Sequence, residues 1–306
     1  MLGVLTGFGI IAFVIALGYV SLRTKVVGPE AGRVFNRMAF FVTNPALLFV
    51  TLAHADVHVL FSSFVVIALI SAVAASGVYV LWSRLFRRRP LAETAIGAMA
   101  SGYVNANNIG LPVAVYVLGN AQYVAPVLLL QLIFFAPLVL SILDAGTRGT
   151  VSVRSIALQP VRNPMILASL AGVIVAVTGL RLPDALYQPF SLVGGAAVPL
   201  VLMAFGMSLS GRRPFQAGAA RREVVLSALL KAVFMPAVAW LVADAVFGLR
   251  GHALFAAVVT AALPTAQNVF NFASRYGRGE TLARDSVLLS TIISVPVLVV
   301  VAALLA

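Results

Sequence analysis

Hydrophobic residues run through this chain in long stretches, and polar residues are mostly confined to the gaps between them. Ten such runs lie at 3–22, 34–53, 59–83, 93–118, 122–143, 163–180, 189–210, 223–247, 252–275 and 282–305. Each approaches the ~20 residues a helix needs to cross a bilayer. The runs are continuous, whereas a lipid-facing strand alternates apolar and polar positions, so helices are expected and a closed barrel is not. The chain of 306 residues is 61% hydrophobic and only 10% charged, where soluble domains carry about 25% charged residues. The runs recur from end to end, which excludes a soluble domain on a single anchor. The first has no basic stretch before it and no small-residue cleavage site. It is expected to remain as the first membrane helix rather than to be removed as a signal peptide.

Charge sharpens this into a topology. The net charge of +12 would suggest nucleic acid in a soluble protein, but here the basic residues cluster between apolar runs, where they meet lipid headgroups and set orientation. Eighteen of the 21 basic residues fall in or beside alternate gaps. They are Arg23, Lys25, Arg33 and Arg37; Arg84, Arg87, Arg88 and Arg89; Arg148, Arg154 and Arg162; Arg212, Arg213, Arg221 and Arg222; and Arg275, Arg278 and Arg284. The other gaps hold only Arg181 and Arg250, and Lys231 lies inside the eighth run. The positive-inside rule puts the basic gaps in the cytoplasm and both termini outside.

The longest gap, 144–162, separates a first set of five runs, 1–143, from a second, 163–306, and reads as a cytoplasmic linker. An odd number per half makes the second half run with inverted topology, a common transporter plan. The expected fold is an all-α membrane protein of ten helices in a 5+5 inverted repeat.

Two runs in corresponding places are interrupted. The fourth reads Ser101-Gly-Tyr-Val-Asn105-Ala-Asn107-Asn108-Ile-Gly110-Leu-Pro112. The ninth reads Ala262-Leu-Pro264-Thr265-Ala-Gln267-Asn268-Val-Phe-Asn271. Proline removes a backbone donor and clashes with the preceding turn, so neither run makes a comfortable continuous helix. At ~1.5 Å per residue both breaks fall near mid-bilayer, where paired broken helices mark a binding site. Pro112 and Pro264 can each occupy the first turn of a second half-helix. The two starts would then converge from opposite sides, and their free N–H groups and partial positive charge favour an anion. The amides would orient it. Proline kinks with interhelical amide contacts are the alternative; one break would leave it standing, but two at matching places favour a site.

Other polar positions are weaker. Asn44-Pro45 in the second run is either cavity lining or a kink. Lys231 is the one charge deep in a run: it could pair with an anionic substrate, change protonation during transport, or snorkel to the headgroups. Gln131 reads as interhelical contact rather than ligand. His54, Asp56 and His58 alternate in the first external gap but are too few for a metal site. Asp144, Asp184, Asp244, Glu93 and Glu280 sit near run ends, as interface or caps. Gly3 and Gly7 could allow close helix packing. The chain has no cysteine, no P-loop, no HExxH and no GxSxG elbow, and no pair of carboxylates lies mid-run. Catalysis is not expected, nor is a cofactor or metal.

Asn44-Pro-Ala-Leu-Leu-Phe, Asn105-Ala-Asn-Asn-Ile-Gly-Leu-Pro112 and Pro264-Thr-Ala-Gln-Asn-Val-Phe-Asn271 resemble, in this order, the auxin efflux carrier family, whose bacterial members include malate and malonate permeases. The resemblance covers the whole chain. It implies that helices 1, 2, 6 and 7 form a dimerising scaffold. Helices 3–5 and 8–10 would form a transport domain in which helices 4 and 9 cross at their prolines, with elevator-like alternating access. The long cytoplasmic loop of the plant members is absent, so regulation through it does not carry over.

The sequence is therefore expected to encode a secondary carrier for a small organic anion, with a carboxylate the expected group, in a bacterial inner membrane. Its expected partners are that anion, membrane lipid and a second copy of itself. The expected substrate-binding residues are Asn44, Asn105, Asn107, Asn108, Gly110, Pro112, Lys231, Pro264, Thr265, Gln267, Asn268 and Asn271. A sodium-coupled carrier of the bile-acid type and a membrane solute sensor are the alternatives. The topology is checked by single cysteines introduced into this cysteine-free chain. Reagent outside the cell should label the termini, and a residue in 144–162 should stay protected. A cytoplasmic N-terminus would overturn the assignment.

Overall fold

The computed structural model of the protein describes residues 2–54, 63–148, 163–180, 182–210 and 221–306. Among these residues every extended element is helical, and one isolated antiparallel bridge joins Val104 to Thr265. The helices are α1 (Leu2–Arg23), α2 (Ala31–Ala53), α3 (Ser63–Arg87), α4 (Leu91–Gly102), α5 (106–116), α6 (Ala121–Thr147), α7 (Pro164–Thr178), α8 (Asp184–Leu209), α9 (Arg221–Val246), α10 (Gly251–Ala262), α11 (Gln267–Tyr276) and α12 (Glu280–Leu305). Six of them, α2, α3, α6, α8, α9 and α12, are long and apolar enough to cross a membrane. The fourth and ninth apolar runs each appear as two helical pieces, α4 with α5 and α10 with α11. Asp56, His58, Arg154, Arg162, Arg181, Arg212 and Arg213 lie outside the described residues.

Proline sets much of the local backbone. Pro45, Pro112, Pro137 and Pro236 each follow a wide π-helical turn that ends two residues earlier, at 39–43, 106–110, 131–135 and 230–234. A proline ring collides with the carbonyl four residues back. Shifting the preceding bonds to the fifth residue moves that carbonyl aside without ending the helix. Pro189 and Pro296 sit inside helices with no such turn before them. The wide turns carry Thr43, Asn107, Asn108, Gln131 and Lys231.

The chain divides into two compact units. The first comprises Met1–Ser62, Asn107–Leu129 and Gln159–Arg212. Its helices meet backbone to backbone through glycine. A side chain at Gly18 of α1 would strike the Met203 backbone of α8, and one at Gly206 would strike the Ile15 carbonyl of α1. Gly172 of α7 faces the Phe49 carbonyl of α2, and Gly194 of α8 faces the backbone at Leu47. Lipid tails are as apolar as leucine, so helices in a bilayer gain from such close packing rather than from hydrophobic burial. The side-chain surroundings of Gly3 and Gly7 lie outside the description.

The second unit comprises Ser63–Ala106, Leu130–Leu158 and Arg213–Ala306. Here α3 packs on α4 where the buried Tyr79 ring covers Gly97, leaving no room for a Cβ. An ion cluster fixes one end. Glu223 at the start of α9 is buried and accepts from Arg87 Nε and Arg89 Nε, both at 3.0 Å, while Arg89 also reaches Glu93 at 3.4 Å. Two arginines read from sequence as headgroup contacts are thus engaged within the protein. Buried ion pairs are costly to break from one side.

The glycine contacts generate a prediction. Gly206→Leu should cost about 1–3 kcal/mol or more, because the α1 backbone must move. This should appear as a lower unfolding midpoint and less folded protein. A midpoint equal to that of the parent would show that α1 and α8 can separate freely.

Candidate functional site

The second unit contains both breaks. Helix α10 stops at Ala262 because Pro264 has no N–H for the Thr260 carbonyl and forces the residue before it out of helical geometry. Leu263 accordingly has φ −56° and ψ 147°. Helix α4 stops at Gly102, and Tyr103 is extended, with φ −92° and ψ 109°. The two extended stretches lie antiparallel. Asn105 N–H donates to the Pro264 carbonyl at 2.8 Å, and Ala266 N–H donates to the Tyr103 carbonyl at 2.9 Å. Each break thereby supplies the backbone partners that the other lacks.

Side chains satisfy what remains. Gln131 Nε2 donates to the Val104 carbonyl at 2.9 Å. Ser290 Oγ accepts from Thr265 N–H at 3.1 Å, and Thr265 Oγ1 donates to the Ala100 carbonyl at 2.6 Å. The Tyr103 hydroxyl donates to the Gln131 carbonyl at 3.5 Å. Lys231, wholly buried, donates from Nζ to the Ala261 carbonyl at 2.7 Å. That burial removes snorkelling from its three readings.

The first unit holds a second polar group. Asn44 Nδ2 donates to Asn107 Oδ1 at 2.8 Å, and Asn107 Nδ2 donates to Asn108 Oδ1 at 2.9 Å. Asn44 and Thr43 are buried, yet Asn44 Oδ1 and Thr43 Oγ1 have no hydrogen-bond partner in the protein. Buried polar atoms are nearly always paired, so two adjacent exceptions call for an explanation. Together they offer a bound group one acceptor and one hydroxyl that can donate or accept.

The residues expected to bind substrate therefore collect in two groups. Asn44, Asn107 and Asn108 belong to the first unit, with Gly110 and Pro112 buried beside them in chain order. Asn105, Pro264, Thr265, Asn268 and Lys231 belong to the second, where Gln267 and Asn268 are half-buried at the start of α11. Asn271 is exposed. Pro112 does sit in the first turn of the regular helix 111–116. Pro264 does not: it lies in the unwound stretch, and α11 begins three residues later at Gln267. The reason is the pairing with Tyr103–Asn105, which holds Pro264–Ala266 extended.

Thr43, Tyr103 and Ser290 were not among the expected site residues. Tyr103 stood inside the interrupted fourth run, and Thr43 directly precedes the Asn44-Pro45 pair. Ser290 carries a readable signal, the buried serines 286, 290 and 294 at helical spacing on α12. His54 is hydrogen-bonded to the Tyr187 hydroxyl at 2.9 Å and packs edge-on against its ring.

Comparison with known proteins places this geometry in context. The sequence profile of a family described as membrane transport protein matches residues 8–302. A protein named "Uncharacterized transporter YfdV" from Escherichia coli (strain K12) is 26% identical over 276 residues, covering 87% of this chain and 86% of that one. A "Putative malonate transporter" from Rhizobium meliloti (strain 1021) is 27% identical, covering 95% of this chain and 91% of the other. A "Probable auxin efflux carrier component 5c" from Oryza sativa subsp. japonica is 32% identical over 152 residues, which are 48% of this chain and 40% of that protein.

The paired breaks predict a structural role for Gln131. Gln131→Leu leaves the buried Val104 carbonyl with the Ala106 N–H at 2.8 Å as its remaining donor and should cost about 0.5–1.5 kcal/mol, the net worth of one hydrogen bond. The measurement is the unfolding midpoint of purified protein. No change would mean that the Ala106 N–H alone satisfies this carbonyl.

Proposed function

The chain belongs to the membrane transport protein family, which includes the auxin efflux carriers, and on that premise we propose that it is a secondary carrier of a small organic anion. It is a membrane transporter, and its relatives are transporters rather than enzymes. The carrying observation is the antiparallel pairing of two interrupted helical runs, each followed at once by a helix start rich in amides.

In this proposal ten membrane helices form a 5+5 inverted repeat, and helices 4 and 9 cross at their breaks near mid-bilayer. The starts of α5 and α11 each present N–H groups and partial positive charge that favour an anion. The proposed substrate amides are Asn105, Gln267 and Asn268 in the second unit and Asn107 and Asn108 in the first, where Thr43 and Asn44 add their unpaired atoms. A carboxylate is the expected group, which the name of the malonate relative supports. The first, second, sixth and seventh runs fall in one compact unit, and the third, eighth, ninth and tenth in the other. That grouping supports a scaffold and a moving transport domain, hence elevator-like alternating access. The 107–129 stretch, counted with the first unit, departs from the simplest version of that division. A homodimer through the scaffold, a bacterial inner membrane and periplasmic termini complete the proposal.

The test is counterflow in proteoliposomes against a panel of mono- and dicarboxylates. Asn107→Ala, Asn108→Ala and Asn268→Ala should each lower uptake about tenfold or more, as loss of a hydrogen bond to a charged group does, at equal amounts of folded protein. Amide analogues of the transported acid should fail to compete. Normal uptake in all three variants would place the site elsewhere, and transport of the neutral amides would overturn the anion reading.

A further inference from the structure

The break in the ninth run leaves a specific electrostatic problem. The last carbonyls of α10 have lost their helical donors: Pro264 has no N–H for Thr260, and the N–H of Thr265, the regular partner of the Ala261 carbonyl, is turned to Ser290 Oγ at 3.1 Å. These carbonyls are the negative end of a twelve-residue helix, Gly251–Ala262, buried inside the second unit with Ala261 4% and Ala262 0% exposed. Carriers built on broken helices commonly hold their coupling cation at such a place, on unwound carbonyls and half-helix C-terminal ends.

Here the place is taken by a side chain. Lys231 Nζ lies 2.7 Å from the Ala261 carbonyl oxygen, with the residue 0% exposed. Among the described residues no carboxylate forms an ion pair with it. Its stem comes from the wide turn 230–234 that Pro236 imposes on α9. We propose that Lys231 is a tethered cation filling the position of a coupling ion at the end of α10, so that this carrier works without sodium, and that removing its amine opens a carbonyl-lined site for a small monovalent cation or primary ammonium ion. The coupling half of this statement rests on the carrier reading above, whereas the binding half does not. It tethers the cationic group of the ninth run's break to the chain itself, where a sodium-coupled relative would have to bind and release an ion.

Thermal unfolding of purified protein tests this without a known substrate. Parent, Lys231→Ala and Lys231→Met are compared in sodium, potassium, methylammonium and choline chlorides at one ionic strength. The parent midpoint should be the same in all four. Both variants should unfold roughly 5 °C lower in choline, as expected for losing a buried charge-assisted hydrogen bond. Sodium or methylammonium should raise Lys231→Ala saturably. They should not raise Lys231→Met, whose side chain fills the space without charge. A parent selectively stabilised by sodium overturns the proposal, even if neither variant folds. So does a Lys231→Met as stable as the parent in choline, or a Lys231→Ala that no small cation restores. Once a transported anion is known, parent flux should be equal with and without sodium. Absence of flux for every anion would count against the carrier reading and leave the unfolding result intact.

Discussion

Backbone hydrogen bonding inside a hydrocarbon layer is the constraint on which the rest of this protein depends. Each buried N–H or C=O left without a partner costs several kcal/mol there, which is why spanning segments are normally unbroken helices. This chain breaks two runs and then rebuilds the lost bonds from three sources. The breaks pair with each other through Asn105 with Pro264 and Ala266 with Tyr103. Neighbouring helices lend side chains, Gln131 to Val104 and Ser290 to Thr265. A buried amine serves the Ala261 carbonyl. Polar residues scattered through apolar runs become intelligible as one accounting of donors and acceptors.

The sequence makes the large features legible because they follow from long averages. A run of about twenty apolar residues needs no partner to be read as helix, and prolines amid asparagines announce a break. What stayed hidden depends on register and distance. Nothing in the string Leu229-Leu-Lys231-Ala shows that a wide turn before Pro236 aims the amine at a carbonyl thirty residues away. Pro264 was expected to open a helix, because its own geometry permits that. The competing pairing with Tyr103–Asn105 is a tertiary effect and delays the helix to Gln267. Gln131 was read correctly as a contact, but its partner, an unwound carbonyl, could not be inferred before the unwound stretch had neighbours.

Proline and glycine divide the remaining work. Proline widens turns at 39–43, 106–110, 131–135 and 230–234, and the polar side chains of the candidate site cluster on or beside those turns. A wide turn rotates the residues before it relative to those after it, so a polar side chain can face the protein interior while the rest of its helix keeps an apolar face outward. Glycine acts where helices must touch. Gly18, Gly172, Gly194 and Gly206 all serve the first unit, whose helices contact one another through backbone atoms. Contacts of that kind have no slack, and a unit built from them is suited to staying rigid.

The charge distribution bears on how such a site could release what it binds. The amides and hydroxyl proposed to meet the substrate, at 43, 44, 105, 107, 108, 267 and 268, carry no formal charge, and the buried lysine is already committed to the end of α10. Selection for an anion then rests on helix starts, each worth about 0.3–1 kcal/mol when exposed and up to about 2 when partly buried, together with hydrogen bonds from uncharged donors to the anion of about 1.5–3 kcal/mol each. An arginine clamp in the same place would bind a carboxylate bidentately and far more firmly. A carrier gains nothing from tight binding that it must undo on the opposite side of the membrane. A site made of weak, fixed dipoles with its one strong charge placed elsewhere can recognise an anion, let it go, and keep its own backbone satisfied through the cycle.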